Sequence, residues 1–400
     1  MDYSETSKSI KTTPIEAPLP KIKVVGLGGG GCNAVNRMIE NGMTGVEFIA
    51  CNTDRQALES SLADVKLQLG PICTRGLGAG GRPEVGEAAA EESFQALADA
   101  LDGADMIFLT AGMGGGTGTG SIPVAARVSK HIGAVTIAVV TTPFSFEMGR
   151  RQKNAFIGLS KLRQYTHTML TVPNDRLLEV APENLPLEMA FKLADDVLRQ
   201  GVQGIAELLT QNGVINVDFA HIRHVMELGG GALMAIGTGE GENKSKKALE
   251  QALHHPLLDE INLSGAAGII ANFSGGSDLT FAEVAETLSQ LHAEAGGETE
   301  IIPGVINDPN LNGRVEVILI VTGLGSLPIE KAIPGAERFL AELKTITEKP
   351  VQIRQPEYAE AQVTQERSSS HHGYTYTPVR SPVASSNLDV PAFLRKRMRG

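Results

Sequence analysis

Two glycine-rich segments, each between a short apolar run and a helix-like stretch, constrain the fold of this chain more than any other feature. The first (residues 26–31, GLGGGG) contains Gly26, Gly28 and Gly31 in the spacing GxGxxG. After a strand, this spacing lets the backbone approach a phosphate at a helix N-terminus. Asp54 follows at about the spacing expected for a contact to a ribose hydroxyl. Taken alone, the pattern predicts a dinucleotide site, as in an NAD-dependent dehydrogenase.

The second segment (residues 111–120, AGMGGGTGTG) favours a longer phosphate ligand, because a dehydrogenase needs only one such turn. Glycine turns at two neighbouring strand ends could enclose a polyphosphate, and Thr117 and Thr119 add hydroxyl groups. A third segment (residues 76–83, GLGAGGRP) has the composition to close over the far end of this ligand. Since no GxxxxGK[ST] motif occurs, a P-loop NTPase is excluded. The phosphates are expected to be held mainly by backbone N–H groups and a metal ion.

The alternation of apolar runs and helix-like stretches predicts an α/β fold, with a parallel sheet that helices cover on both faces. The expected strands are residues 22–25, 46–51, 106–110, 135–140, 169–172, 232–236, 268–273 and 315–322, and the expected helices are residues 33–40, 85–101, 122–132, 187–210, 246–254 and 281–292.

The helix expected from Leu187 to Thr210 is long enough to connect two domains, since its apolar residues recur at helical spacing over more than twenty residues. A second, smaller α/β domain follows it. Beyond about residue 350, Gln, Ser, Glu and Pro dominate without periodicity, which is typical of a disordered linker. The predicted organisation is a disordered arm (1–20), a nucleotide-binding domain (21–186), the central helix (187–210), a C-terminal domain (211–330), a helical end and linker (331–386), and a docking peptide (387–400).

Composition excludes several other classes of protein. The net charge of −11 argues against non-specific nucleic-acid binding over the whole surface. No run of about 18 apolar residues predicts a membrane span, and the first 20 residues lack the apolar core of a secretory signal. Cys32, Cys51 and Cys73 form no CxxC pair, which favours reduced thiols over a disulfide framework or a zinc site. A cytoplasmic protein is expected.

Six segments carry a resemblance to a known family. GMGGGTGTG (residues 112–120) resembles the tubulin signature loop in the form used by the FtsZ family. The similarity continues in NTD (52–54), PEVG (83–86), PNDR (173–176), VLRQGVQGI (197–205) and NVDFA (216–220). The resemblance implies a tubulin-like, Rossmann-type GTPase domain that binds GTP or GDP and assembles head to tail into protofilaments. In this family the filaments form the ring that divides the cell at the future septum.

The resemblance also implies roles in nucleotide binding. The first turn would contact phosphates and base, the second would wrap the α- and β-phosphates, and the third would sense the γ-phosphate. A carboxylate at position 195 suits guanine, because it can accept from both N1–H and the 2-amino group. The residues implied are Gly29, Gly30, Gly31, Cys32 and Asn33; Gly114, Gly115, Gly116, Thr117, Gly118 and Thr119; Ala79 and Gly80; Glu147 and Arg151 near ribose and phosphates; and Asn174, Asp195 and Phe191 around guanine.

The group that orients the attacking water is implied to come from the next subunit, in the loop after the long helix. Asn216, Asp218 and His221 are the residues concerned. The family pattern here is NxDxxD, so His221 stands where the second acid is usual. Because histidine titrates near neutral pH, this predicts slower turnover that declines in acid. Mg²⁺ is implied by the polyphosphate and not by a cluster of metal ligands, with Asn52 and Asp54 as possible outer-shell contacts.

The terminal DVPAFLRKR (389–397) resembles the family's C-terminal peptide, which implies docking to a membrane tether such as the actin-like FtsA, without insertion into the membrane. One departure is Met148, where the family usually has glycine after the glutamate. Three hypotheses stay open: a polymerising GTPase, a nicotinamide-dependent oxidoreductase, and a non-hydrolysing GTP-dependent scaffold that co-assembles with an active relative.

Overall fold

The computed structural model describes residues 19–323, apart from 148, 180, 183, 211–214, 216, 229, 259–262 and 298, together with residues 332, 333 and 339. The expected linker and docking peptide, and most of the expected N-terminal arm, lie outside this part of the chain.

The described residues form ten strands and eleven α-helices. The strands are β1 (Ile22–Leu27), β2 (Glu47–Asn52), β3 (Val65–Gln68), β4 (Met106–Gly112), β5 (Val135–Thr142), β6 (Thr168–Pro173), β7 (Gly230–Glu240), β8 (Gly268–Gly275), β9 (Glu300–Asn307) and β10 (Arg314–Thr322). The helices are α1 (Gly28–Glu40), α2 (Arg55–Glu59), α3 (Pro83–Glu92), α4 (Phe94–Leu101), α5 (Thr117–His131), α6 (Arg150–Leu162), α7 (Asn174–Leu178), α8 (Leu187–Thr210), α9 (Phe219–Glu227), α10 (Lys244–Leu253) and α11 (Phe281–Glu294).

All ten strands join one sheet in the order β3-β2-β1-β4-β5-β6-β7-β10-β8-β9. The first six strands pair in parallel, as the alternating pattern predicts. The second half is mixed, because β10 runs antiparallel to both of its neighbours. The two halves are joined by three paired positions of β6 and β7, beginning at Thr168 and Gly230. Since β1 and β4 are parallel neighbours, the glycine turns that follow them leave the same edge of the sheet.

Successive residues of β1 face opposite layers of the core. Val24 packs into the layer that holds α1, α8 and α9, whereas Val25 packs into the layer that holds α3, α4, α5 and α6. A third cluster lies under α10 and α11 on one face of the second half of the sheet. Burial on both faces explains why the central strands are continuous apolar runs in the sequence. The predicted α/β fold with helices on both faces is confirmed.

Helix α8 has the bounds predicted from its apolar spacing and packs against both halves of the sheet. A methyl group placed on Gly201 would lie 3.1 Å from side-chain atoms of Val139 and Leu170, in the first half. One placed on Gly204 would lie 3.1 Å from Ile318, in the second half. The helix therefore connects the two halves, as expected.

The local predictions fail where tertiary contacts outweigh pattern. The helix expected over residues 85–101 is two helices separated at Ser93, whose hydroxyl accepts a hydrogen bond from the Gly70 N–H at 2.9 Å. Helix α5 begins at Thr117, five residues earlier than predicted, although glycine and threonine are poor helix formers. Strands β3 and β9 and helices α2, α6, α7 and α9 were not predicted from the sequence.

The last residues of α8 and of α9 lie at the sheet edge opposite the glycine turns. Gly45 stands just before β2, and a methyl group there would lie 2.6 Å from Cβ of Thr210, the last residue of α8. The Thr168 hydroxyl, at the start of β6, donates to the Met226 carbonyl of α9 at 2.6 Å. The described helices are all too short or too polar to cross a membrane.

Candidate functional site

The first two glycine turns touch backbone to backbone. A methyl group on Gly28, which has φ +70°, would lie 2.6 Å from the Gly118 nitrogen, closer than a Cβ atom can approach. Helices α1 and α5 therefore begin side by side, and their free N–H groups and positive dipole ends converge at one place. A hydrogen bond of 2.6 Å between the hydroxyls of Thr53 and Thr117 links the end of β2 to the same place. This arrangement suits a ligand with several negative charges.

The third glycine segment closes against the second. A methyl group on Gly116 would lie 2.8 Å from the Arg82 nitrogen and 2.9 Å from Ala79 Cβ. The Asn154 amide in α6 donates to the carbonyls of Gly81 at 3.3 Å and Gly114 at 3.2 Å, so that one side chain holds both segments. Residues 76–83 thus adjoin the second segment, and their closure over the far end of a polyphosphate stays a prediction. Asn154 was not predicted, because no motif marks it.

The second turn is also stabilised by a hydrogen bond between two of its own residues. The Thr119 hydroxyl is buried and accepts from the Gly114 N–H at 2.8 Å. Thr119 therefore holds the shape of the turn, whatever contact it makes to a phosphate. By contrast, Gly29, Gly80 and Gly115 have no atom within 4 Å of the position that a Cβ would occupy. Open space thus lies beside each of the three turns. Together the three turns form a cradle that a polyphosphate fits.

Asp195 and Asn174 have the properties expected of residues that hold a base. Burial raises the pKa of the Asp195 carboxyl to about 6, although Arg37 lies 3.6 Å from it and partly offsets the rise. The side chain of Asn174 is buried, and its Oδ1 has no hydrogen-bond partner among the described residues. A ligand that offers N–H donors would satisfy both groups. Arg37, which positions Asp195 from α1, was not predicted.

Phe191 belongs to a group of three aromatic rings. Its ring meets Phe144 edge-on at 5.4 Å, and Phe144 stacks on Phe146 at 5.1 Å. Phe146 and Phe191 remain partly exposed, as a surface for a planar base would be. Phe144 and Phe146 were missed, because single phenylalanines are far more often core residues.

Glu147 and Arg151, both predicted near the ribose and phosphates, form an ion pair with each other. The Glu147 carboxylate also accepts from the Phe144 N–H at 3.0 Å, which ties the pair to the aromatic rings. Met148, the departure noted in the sequence, lies outside the described residues. The Arg151 carbonyl oxygen lies 2.9 Å from the position that a Cβ atom would occupy at Gly114, so the pair borders the second turn.

Asp218 and His221, two of the three residues expected to orient water, follow the end of α8, at the sheet edge opposite this cradle. Asp218 is exposed and caps helix α9, with its Oδ1 accepting from the Ala220 N–H at 3.2 Å. The prediction of a loop through residue 221 is wrong for its last residues, since Phe219 already begins the helix and His221 lies in its first turn. The Asp218 cap and the apolar spacing of Phe219, Ile222 and Met226 could have indicated this helix. Asn216 lies outside the described residues.

The side chains that could coordinate a metal ion do not define a metal site by themselves. Within the described ranges, no group of three or more His, Cys, Asp or Glu side chains is arranged to hold a metal ion. Asp54, a possible outer-shell contact, uses its carboxylate to cap α2 through the Gln56 N–H at 2.9 Å. Cys32 is buried beneath the first turn, its thiol directed at backbone carbonyls, and desolvation raises its pKa to about 12.

Fold and site together define an α/β protein that binds a nucleotide polyphosphate at the carboxyl ends of parallel strands. Residues 21–182 match the model of the Tubulin/FtsZ family GTPase domain, and residues 230–325 match the FtsZ family C-terminal domain. An empty FtsZ dimer from M. jannaschii is 45% identical, with a TM-score of 0.74 over 78% of this chain and 90% of that chain. The chain therefore belongs to the FtsZ family, and it is a GTPase of tubulin-like fold.

More distant solved structures share the fold. The GTPγS-bound protofilament of CetZ2 from Haloferax volcanii is 21% identical, with a TM-score of 0.68 over 81% of this chain and 99% of that chain. The GDP-bound CetZ1 monomer from the same organism is 20% identical, with a TM-score of 0.68 over the same shares. Membership of the GTPase family settles the choice against a nicotinamide-dependent oxidoreductase.

Asn154→Ala should weaken GTP binding by roughly tenfold, because it removes two hydrogen bonds of about 1 kcal/mol each that hold the second and third turns together. Fluorescence titration below the polymerisation threshold would measure this. Ser160→Ala is the matched control, since Ser160 lies on the same helix and, among the described residues, its hydroxyl bonds only to the Phe156 carbonyl. Equal GTP affinity in both variants would show that Asn154 does not organise the site.

Proposed function

We propose that the chain is a polymerising GTPase that assembles head to tail, with each active site completed by the next subunit. The supporting observation is the separation of the two functional ends. The glycine turns leave one edge of the sheet, whereas Asp218 follows the end of α8 at the opposite edge. A 24-residue helix is about 36 Å long, so Asp218 is remote from the cradle of its own chain.

Within the cradle, the three turns would hold the phosphates of GTP through backbone N–H groups and three adjacent helix N-termini. Asn174 and Asp195 would bind the guanine edge, with Phe191 against its face. Bound Mg²⁺ would neutralise phosphate charge, with Asn52 or Asp54 in its outer shell. Hydrolysis would join a water oxygen to the γ-phosphorus and break the bond to the β-phosphate oxygen, giving GDP and inorganic phosphate. Positioning and charge stabilisation account for most of such catalysis.

The neighbouring subunit would supply the group that orients this water. Asp218 uses Oδ1 for the helix cap, which leaves Oδ2 available. The empty FtsZ dimer shows that a relative associates with itself. In the cell, the filaments would form the division ring at the inner face of the cytoplasmic membrane. The alternative is a slow or non-hydrolysing scaffold that co-assembles with an active relative, and the histidine at position 221 favours it.

The shared site is tested by mixing two inactive variants. Asp218→Asn keeps the helix cap, because asparagine caps as well as aspartate. It should bind GTP and polymerise, but lose roughly 10²-fold or more in turnover. Asp195→Ala should instead fail to bind GTP while keeping Asp218 intact. Mixing the two should restore part of the phosphate release, since the intact cradle of the Asp218→Asn protein can then meet the intact Asp218 of the Asp195→Ala protein. If each variant is inactive and the mixture gains nothing, the site is not shared.

Guanine binding should depend on the charge of Asp195. Its pKa is raised to about 6 in the free protein, and only the ionised carboxylate can accept both guanine donors. The affinity for GDP should therefore be constant above about pH 7 and fall towards tenfold per pH unit below 6. Asp195→Asn should abolish this dependence and weaken GDP binding roughly ten- to a hundredfold. It should also favour xanthosine diphosphate, whose 2-oxo group accepts from the amide.

Asp196→Asn is the matched control, because the neighbouring Asp196 pairs with Arg199 at 2.7 Å. Calorimetric titration from pH 5 to 8 would measure all three proteins. A GDP affinity that falls equally with pH in the Asp195→Asn protein would assign the titration to another group.

His221 should limit the rate. His221→Asp should raise turnover by roughly tenfold or more, within the range for a positioned base, and flatten the acid limb of the pH profile. Phosphate release must be compared at saturating GTP and equal polymer mass, because assembly completes the site. His224→Asp is the matched control, because it makes the same change of charge about one helical turn further along α9. Equal rates and equal pH profiles for the parent and His221→Asp would remove any catalytic role and the main support for the scaffold alternative.

The C-terminal segment DVPAFLRKR lies outside the described residues and stays a prediction. It combines Val390, Phe393 and Leu394 with three basic residues, which suits a groove with an acidic rim on a membrane tether such as the actin-like FtsA. Removing residues 388–400 should leave GTPase activity and polymerisation intact and abolish co-sedimentation with the tether. Loss of polymerisation would contradict a separate docking peptide.

A further inference from the structure

Three described residues beyond the last strand pack back onto the first half of the sheet. Strand β10 belongs to the second half, whereas Ile333 is fully buried in the core layer that holds α3, α4, α5 and α6. The Phe339 ring lies 6.0 Å from the ring of Phe156 in α6. We call Ala332, Ile333 and Phe339 the return segment. It lies beyond residue 325, where the match to the family's C-terminal domain ends.

The return segment is hydrogen-bonded to the last residue of strand β5. The Thr142 hydroxyl donates to the Ala332 carbonyl at 2.9 Å, across 190 positions of the sequence. Thr142 is 1% exposed and Ala332 is 2% exposed. Because a buried hydroxyl or carbonyl that loses its partner is costly, this bond fixes the return segment at one place on the sheet.

The two residues after Thr142 reach the nucleotide site. Pro143 borders the second turn, since its Cγ lies 2.7 Å from the position that a Cβ atom would occupy at Gly114. Phe144 is buried and meets the Phe191 ring edge-on at 5.4 Å. Pro143 and Phe144 thus form a wall that connects the second turn to the aromatic rings. Thr142 joins this wall directly to the return segment.

We infer that the return segment positions this wall through Thr142 and thereby slows the release of bound nucleotide. The end of β5 is held in place before a nucleotide arrives, so less conformational entropy is lost on binding. Thr142 is then a positioning residue, which acts through Pro143 and Phe144. This inference rests on the proposed function, because it places the phosphates in the second turn and the base against Phe191.

The test removes the Thr142 hydroxyl with little change of shape. Thr142→Val lacks the donor, whereas Thr142→Ser keeps it. Thr136→Val is the matched control, since Thr136 lies at the start of β5, is buried on the same face, and donates to the Ala134 carbonyl at 3.2 Å. Stopped-flow fluorescence would follow the release of ribose-labelled GDP from each full-length protein below the polymerisation threshold. Thermal unfolding would be measured on the same samples.

Thr142→Val should speed GDP release by roughly three- to tenfold, the range for the loss of one hydrogen bond. Thr142→Ser should restore the parent rate. Thr136→Val should also release GDP at the parent rate, even where it lowers the melting temperature as much as Thr142→Val does. Ile333→Val, which removes one methyl group from the return segment, should speed release in the same direction and by less.

Two outcomes of these measurements would overturn the inference. One is the parent rate of release in both Thr142→Val and Ile333→Val. The other is an equal acceleration in Thr136→Val, because the effect would then follow general stability. If the parent protein does not bind GDP at all, the proposed function itself fails.

A double-mutant cycle tests the route through the wall. In a Phe144→Leu background, Thr142→Val should accelerate GDP release by less than it does in the parent, because the ring that it positions is already gone. Fully additive effects would show that the contact between Thr142 and the return segment does not act through Phe144, which contradicts the inference.

Discussion

The close approach of two peptide backbones, at Gly28 and Gly118, is the contact on which the rest of the site depends. A hydrogen atom is all that fits at Gly28, so the turns after β1 and β4 can approach this closely only with glycine at that position. Their meeting places two helix N-termini side by side, and the third turn then closes against Gly116. The cradle is thus made from backbone, which no single side chain can replace. Such contacts require glycine at Gly28 and Gly116, because a side chain would not fit there.

The sequence predicts the buried parts of this fold well, because burial leaves a pattern. Central strands packed on both faces are continuous apolar runs, and α8 carries its apolar residues at helical spacing over its whole length. Strands β3 and β9 lie at the two edges of the sheet, where Lys66 and Pro303 interrupt the pattern. Edge strands gain less from apolar residues, so their sequences are less distinctive.

The nucleotide site is predictable only in its backbone. The glycine segments are visible in the sequence, because each turn needs glycine at fixed places. The side chains that support these turns are not marked by any pattern in the sequence. Asn154 lies 40 residues from the Gly114 carbonyl that it binds, and Phe144 contacts Phe191 across a similar gap. Such partners are brought together by packing of whole helices, which short-range spacing does not encode. Likewise, the start of α5 depends on its contacts with α1 and α3, against its own propensity.

The helix cap at Asp218 prepares this residue for the proposed contact between neighbouring subunits of the filament. Because Oδ1 is held by the Ala220 N–H, the carboxylate is oriented before any neighbour arrives. Its second oxygen is then presented from an exposed position at the tail end of the subunit. A group already fixed in this way loses little conformational entropy when it meets a water molecule above a γ-phosphate. The cradle is likewise built from backbone fixed within its own subunit. In the proposed mechanism, two preformed halves would need only docking to complete the site, so assembly alone would switch hydrolysis on.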